Sequence, residues 1–246
     1  MRYELYYWPE IQGRGEFVRL ALEEGGADYL DVARQPEADG FGTAALMRLL
    51  RSESVAHPPF APPFLKAGEL LIGQTANILL FLGPRLGLAP ADEAERLWLH
   101  QLQLTIADLV GEAHDTHHPI SGELYYDDQK PEAARAAAEF IRSRLPKYLG
   151  YFESVCARNP DGGGWIVGAA PTYVDLSVFQ LIAGLRYAFP RAMARLEPDH
   201  PHLVGIHDRV AERPRVANYL ASARRLPFSE QDLFRHYPEL DPEATD

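Results

Sequence analysis

Residues 2–8 open the chain as a strand rich in tyrosine and tryptophan, its alternation placing Tyr6 and Tyr7 on opposite faces. Pro9 to Gly13 read as a loop. Phe17, Leu20, Ala21 and Leu22 then mark one face of a helix ending near Gly25-Gly26. Tyr29 to Val32 predict a second strand, and Ala44 to Leu50 a short helix inside a Pro- and Gly-rich stretch over 34–63. Two short apolar runs, Phe64-Leu65 and Leu70 to Ile72, flank a turn signal at Lys66 to Glu69 and predict a hairpin. Thr75 is placed to cap a following helix through Ile78, Leu79, Phe81 and Leu82. Gly83-Pro84 through Ala89-Pro90 punctuate the chain, so the expected organisation is a domain over 1–83, a linker over 84–90 and a helical domain over 91–246. Within the latter, 91–114 and 131–157 carry helical spacing, Asp161 to Gly164 form a break, and Thr172 with Asp175 fits a capping box. The acidic, Pro-rich end, 226–246, is expected to wrap over the surface or fray.

Composition narrows the function classes. With 46% hydrophobic and 24% charged residues the chain reads as an ordinary globular protein. No apolar run reaches the roughly 20 residues a membrane span requires, and the N-terminus lacks a signal-peptide apolar core. The single Cys156 excludes an internal disulfide and any Cys-x-x-Cys site, so a cytoplasmic location is expected. A net charge of -11 argues against nucleic acid and anionic membrane as partners. The charge is uneven: residues 1–86 hold 8 Lys/Arg against 11 Asp/Glu, and residues 87–246 hold 16 against 24. The first part is thus less hostile to an anionic ligand.

The segment from Pro62-Pro63 to Gln74-Thr75 carries the most specific chemistry. A proline opening the first apolar run favours a turn or a cis bond over a central strand position. A polar Gln-Thr pair at a helix N-terminus makes a carboxylate site from side chains and unpaired N–H groups. Together they describe an anchored anion beside an exposed backbone segment, a peptide-binding edge.

The order proline, hairpin, Gln74-Thr75, apolar helix resembles the glutathione-binding half of the cytosolic glutathione transferases. Tyr3 to Pro9 followed by Gly13-Arg14-Gly15-Glu16 is similar to the tyrosine-type members, and Gly168 to Asp175 resembles their buried helix-capping motif. The run Arg209 to Pro214, continuing to Tyr219-Leu220, is family-like as well. The chain is on this basis identified as a tyrosine-type, bacterial member. The resemblance implies a thioredoxin-like α/β domain followed by an all-α helical-bundle domain. It implies activation of the glutathione thiol for attack on a small hydrophobic electrophile in detoxification, with glutathione as co-substrate, no other cofactor, and a homodimer.

The resemblance assigns roles to named residues. Tyr7 becomes the thiol-activating residue, since Tyr7-Trp8-Pro9 fits the motif's register better than Tyr6 does. Arg14 adds positive potential near the sulfur. Gln74 and Thr75 hold the γ-glutamyl carboxylate, and Pro63 matches the cis-proline. The residue before that proline normally pairs with the cysteinyl backbone through its N–H and C=O. Here it is Pro62, which has only the C=O. Arg48, Arg51 and His57 remain open for the glycyl carboxylate, and Gln103, Ile106, Ala107 and Phe228 for the electrophile pocket. Phe41 and Phe60 are candidate anchors of the dimer.

Magnitudes suffice for a single phenol. Lowering a thiol pKa of about 8.5 by about two units takes roughly 2.7 kcal/mol. A hydrogen bond to a charged group supplies about 1.5–3 kcal/mol and a helix N-terminus up to about 1 more. No metal is needed. His114, His117 and His118 with Asp115 have spacing that a metal could use, but no His-Glu-x-x-His order is present and Pro119 ends the segment, so a polar helix end is expected there. Cys156 reads as a buried packing residue. Two further readings stand beside the enzyme: a glutathione- or hydrophobic-ligand-binding protein with little turnover, and an interaction module on the same fold.

Overall fold

The computed structural model describes residues 1–161 and 163–243. Gly162, inside the expected break, and residues 244–246 of the expected tail lie outside the described residues. The chain forms two compact units, Met1–His100 with Arg213–Pro227, and Gln101–Glu212 with Phe228–Asp246.

The first unit is thioredoxin-like. It runs β1 (Tyr3–Tyr6), α1 (Gly15–Glu24), β2 (Tyr29–Asp31), α2 (Gly42–Leu50), β3 (Phe64–Ala67), β4 (Leu70–Gly73) and α3 (Thr75–Arg85). The strands order as β2-β1-β3-β4, with β1 parallel to β2 and antiparallel to β3, and the predicted hairpin closing the sheet. Alternation sorts the side chains. Tyr3, Leu5, Leu65 and Ala67 pack on one face with Val18 and Leu22 of α1 and Ile78 and Leu82 of α3. Tyr6 and Phe64 pack on the other with Ala45 and Leu46 of α2. Each fully buried large side chain contributes about 1.5–3 kcal/mol. Tyr6 is thereby committed to the core: its ring stacks on Phe64 at 4.8 Å and its hydroxyl donates to Glu4 Oε2 at 2.7 Å.

Two local expectations change. Gly83-Pro84 does not end α3, which continues to Arg85. Pro84 lies in the last turn, so the missing N–H removes one ladder bond and no more. Thr75 is the first helical residue rather than the cap; Gln74 takes that position, with φ 68°.

The segment Arg213–Pro227, which the sequence reading put with the helical domain, packs in the first unit. Polar contacts on α1 hold it. Tyr219 Oη donates to Glu16 Oε1 at 2.6 Å, Arg225 reaches the same oxygen at 2.5 Å, and Arg213 Nε donates to Glu24 Oε1 at 2.7 Å. Arg19, fully buried, pairs with Asp31 at 2.7 Å and Glu16 at 3.3 Å. Charges this deep are tolerated because each faces an opposite one.

The second unit is helical. The long helix α4 (Glu93–Asp115) enters it at Gln101, followed by α5 (Lys130–Glu139), α6 (Leu145–Ala157), α7 (Tyr173–Ala188), α8 (Pro190–Leu196) and α9 (Pro201–Ala211); α10 (Pro214–Leu220) belongs to the first unit. Between α5 and α6 the backbone widens into a π-turn at Phe140–Arg144, where Pro146 lacks an N–H for the ladder. The expected capping box is present: Thr172 N and Oγ1 both meet Asp175 Oδ2 at 2.7 Å, and Ile166 N donates to Asp175 Oδ1 at 2.8 Å. The described part of the tail does not fray. Leu233, Phe234 and Leu240 are buried, with Phe234 over Gly184, and Tyr237 stacks on Tyr126 at 3.8 Å.

Candidate functional site

The sheet register assembles the site. The last paired row is Tyr6, Phe64 and Gly73 across β1, β3 and β4. One step beyond it along each strand stand Tyr7, Pro63 and Gln74. Strands lie about 4.8 Å apart, so the row spans roughly 10 Å, the reach of an extended tripeptide at about 3.4 Å per residue.

At one end of the row Tyr7 is 5% exposed and sits against the start of α1. Its Oη accepts the Arg14 N–H at 2.9 Å. This closeness requires glycine on both sides of Arg14. A Cβ at Gly13, where φ is +45°, would overlap the Tyr7 hydroxyl, and one at Gly15 would come within 2.5 Å of the ring. Arg14 therefore meets Tyr7 through its main chain, while its side chain is exposed. An O–H that accepts an N–H bond is itself a stronger donor, so this contact prepares the phenol to donate.

In the middle, the Pro62-Pro63 bond is cis and Pro63 is buried. Pro62 presents a carbonyl and no N–H. At the far end, Gln74 is the one described non-glycine residue with positive φ. That conformation costs on the order of 1 kcal/mol and leaves its side chain exposed at the N-terminus of α3. Thr75 Oγ1 donates to the Arg14 carbonyl at 3.4 Å, which ties the N-termini of α1 and α3 together. Tyr7, Arg14, Gln74 and Thr75 are thus linked through main chain and register.

The open assignments sort as follows. His57 lines a cavity of about 490 Å³ together with Phe60, Gln74 and Asn77. Arg48 donates to the Gly40 carbonyl at 3.0 Å, and Arg51 is exposed beyond α2. Gln103 is buried and accepts from Ser177 Oγ at 2.8 Å, and Ile106 is core, so both serve packing in the second unit; Ala107 is exposed. Phe228 stacks on Tyr187 at 5.1 Å. Phe41 packs against the core around Tyr6, whereas Phe60 is 95% exposed. Cys156 is half-buried and its thiol is pushed up to about 12 by burial, which makes it a poor nucleophile. Sequence reasoning missed the Arg14 main-chain contact and the backbone of Gln74. The Gly-x-Gly at 13–15 was the available signal for the first.

The comparisons agree with this architecture. Residues 114–223 match the family model described as glutathione S-transferase, C-terminal domain. The chain is 22% identical to a glutathione S-transferase of Plasmodium falciparum, over 89% of this chain and 95% of that one. It is 25% identical to glutathione S-transferase P of Bos taurus, over 91% and 94%. Among solved structures it resembles the Onchocerca volvulus Pi-class glutathione S-transferase, with TM-score 0.66 and 22% identity over 89% and 92% of the two chains. The glutathione S-transferase of Ascaris lumbricoides gives TM-score 0.67 and 22% identity, over 93% and 100%. Among the described residues no helix is long and apolar enough to cross a membrane.

Proposed function

We propose that this chain, similar to glutathione S-transferases over nearly its whole length, is a tyrosine-type glutathione transferase. The observation that carries the reading is the row of Tyr7, Pro63 and Gln74, long enough for a tripeptide and bounded by two helix N-termini. Glutathione lies along it with its γ-glutamyl carboxylate at Gln74 and Thr75 and its sulfur at Tyr7. The Tyr7 hydroxyl donates to the thiolate. The thiolate forms an S–C bond to a small hydrophobic electrophile, and the leaving group departs with its electron pair.

The test runs glutathione calorimetry and a conjugation assay with an activated aryl halide in parallel. Binding with release of halide is expected. Binding without turnover favours the ligand-binding alternative, which one observation supports: Pro62 offers one of the two main-chain bonds usual for the cysteinyl unit. Absence of binding overturns both.

The same reading includes a homodimer, with Phe60 as an anchor. Phe60 is 95% exposed, so its ring is accessible to a partner subunit. Light scattering at micromolar concentration should give about twice the 27.6 kDa chain mass. Phe60→Ala should shift it toward the single-chain mass; a wild-type chain that stays single at higher concentration defeats the dimer and leaves the Tyr7 chemistry standing.

A further inference from the structure

Three imidazoles converge where α4 ends. His114 lies in its last turn, and Thr116 Oγ1 closes that turn by donating to the Ala113 carbonyl at 2.7 Å. The chain then folds back, so that one nitrogen from each of His114, His117 and His118 lies within 4.8 Å of the others. Only His114 lies on the helix; the turn after Asp115 brings in His117 and His118.

Two of the rings are oriented by a carbonyl or a carboxylate. His117 Nε2 lies 3.0 Å from the Leu233 carbonyl, which only accepts, so Nε2 carries the proton and Nδ1 the lone pair. His114 Nδ1 lies 3.0 Å from Asp115 Oδ1, so that nitrogen is the donor and Nε2 holds the lone pair. A histidine held by a carboxylate or a carbonyl through one nitrogen is the usual preparation for binding a metal through the other. His117 Nδ1 and His118 Nδ1 stand only 2.5 Å apart. With the lone pair on His117 Nδ1, that distance is closed by a proton on His118 Nδ1, so the two rings already share one cation; a metal ion takes that proton's place as the rings part by under about 1 Å to the spacing tetrahedral ligands need.

We propose that His114, His117 and His118 form a site for Zn²⁺. Three imidazole nitrogens suit a borderline first-row dication and not Ca²⁺ or Mg²⁺, which take oxygen ligands. Water completes the tetrahedron. Through the His117–Leu233 bond the ion clasps the end of α4 to the buried segment around Leu233 and Phe234. Arg235, whose Nε donates to the Asp232 carbonyl at 2.8 Å, places a positive charge that acts on His117 and His118 and opposes the ion.

The experiment titrates ZnCl₂ into chelator-treated protein by calorimetry without glutathione, which itself binds zinc. Cobalt(II) absorption in the visible reports the coordination independently. Saturation at about one ion per chain is expected, and His118→Gln or His114→Gln should weaken it at least tenfold. His202→Gln, at a distant exposed histidine, should leave it unchanged. Arg235→Gln should tighten binding several-fold, an outcome that loss of folding cannot produce. No saturable binding by the wild type, or binding unaffected by His118→Gln, overturns the site.

Discussion

Tyr7→Phe should raise the pKa of bound glutathione's thiol by about one to two units, the loss of about 1.5–3 kcal/mol of hydrogen bonding to the thiolate. Conjugation at neutral pH should fall at least tenfold, because only the thiolate attacks. Raising the pH should restore part of the rate in the variant while leaving the wild type nearly flat. The fold should survive: the phenylalanine ring still fills the space between Gly13 and Gly15, and the losses are confined to contacts of the hydroxyl, among them the acceptor for Arg14 N–H. An ultraviolet difference titration of the bound thiolate in both proteins reads the two pKa values. Coincident values would remove Tyr7 from the chemistry. Tyr6 could not then take its place without leaving the core, since its hydroxyl is held by Glu4.

Asp175→Asn should destabilise the second unit by about 2–4 kcal/mol. Both carboxylate oxygens accept from buried donors, Ile166 N on one side and Thr172 N and Oγ1 on the other. An amide has one acceptor oxygen, so whichever way it turns, its NH₂ faces a main-chain N–H. A buried donor left without a partner costs about 1–3 kcal/mol, and the lost cap of α7 about 1 more. Since α7 is buried along most of its length, the damage reaches the centre of the unit. At about 2–4 °C per kcal/mol for a chain of this size, the thermal midpoint should fall by roughly 4–16 °C. A fall of less than about 3 °C would mean that these hydrogen bonds are not what holds α7 in place.

What the sequence disclosed and what it withheld follow from the range of the interactions. The first strand with Tyr6 and Tyr7 on opposite faces, the hairpin built from Phe64-Leu65 and Leu70 to Ile72, and the Thr172–Asp175 box are local patterns, and all were readable. Pro63 and Gln74 were read as a turn and a helix-end anion site, and Tyr7 was chosen from a family resemblance. That they stand in one row follows from the pairing of β1, β3 and β4, which no local pattern specifies. Pro84 misled because a proline stops a helix only where further ladder bonds would follow. The tail misled in the opposite sense: Leu233, Phe234 and Leu240 lie among prolines and charges whose composition speaks for exposure, yet each is buried. The three histidines were recognised as a pattern, but their convergence depends on a turn after the helix has ended.

The attachment of Arg213–Pro227 to α1 has a consequence for the timing of synthesis. Met1–His100 emerges from the ribosome with Glu16 and Glu24 in place, while the side chains that complete them, Tyr219, Arg225 and Arg213, are still more than a hundred codons away. At about 5–20 residues per second, that delay is on the order of ten seconds. During it the nascent first unit has Glu24 without Arg213, and Glu16 with Arg19 but without Tyr219 and Arg225, so part of its native pairing waits until Arg213–Pro227 has been made. A fragment ending at residue 100 would be held indefinitely at that stage, and its boundaries make a complete domain only when the late segment is supplied with it.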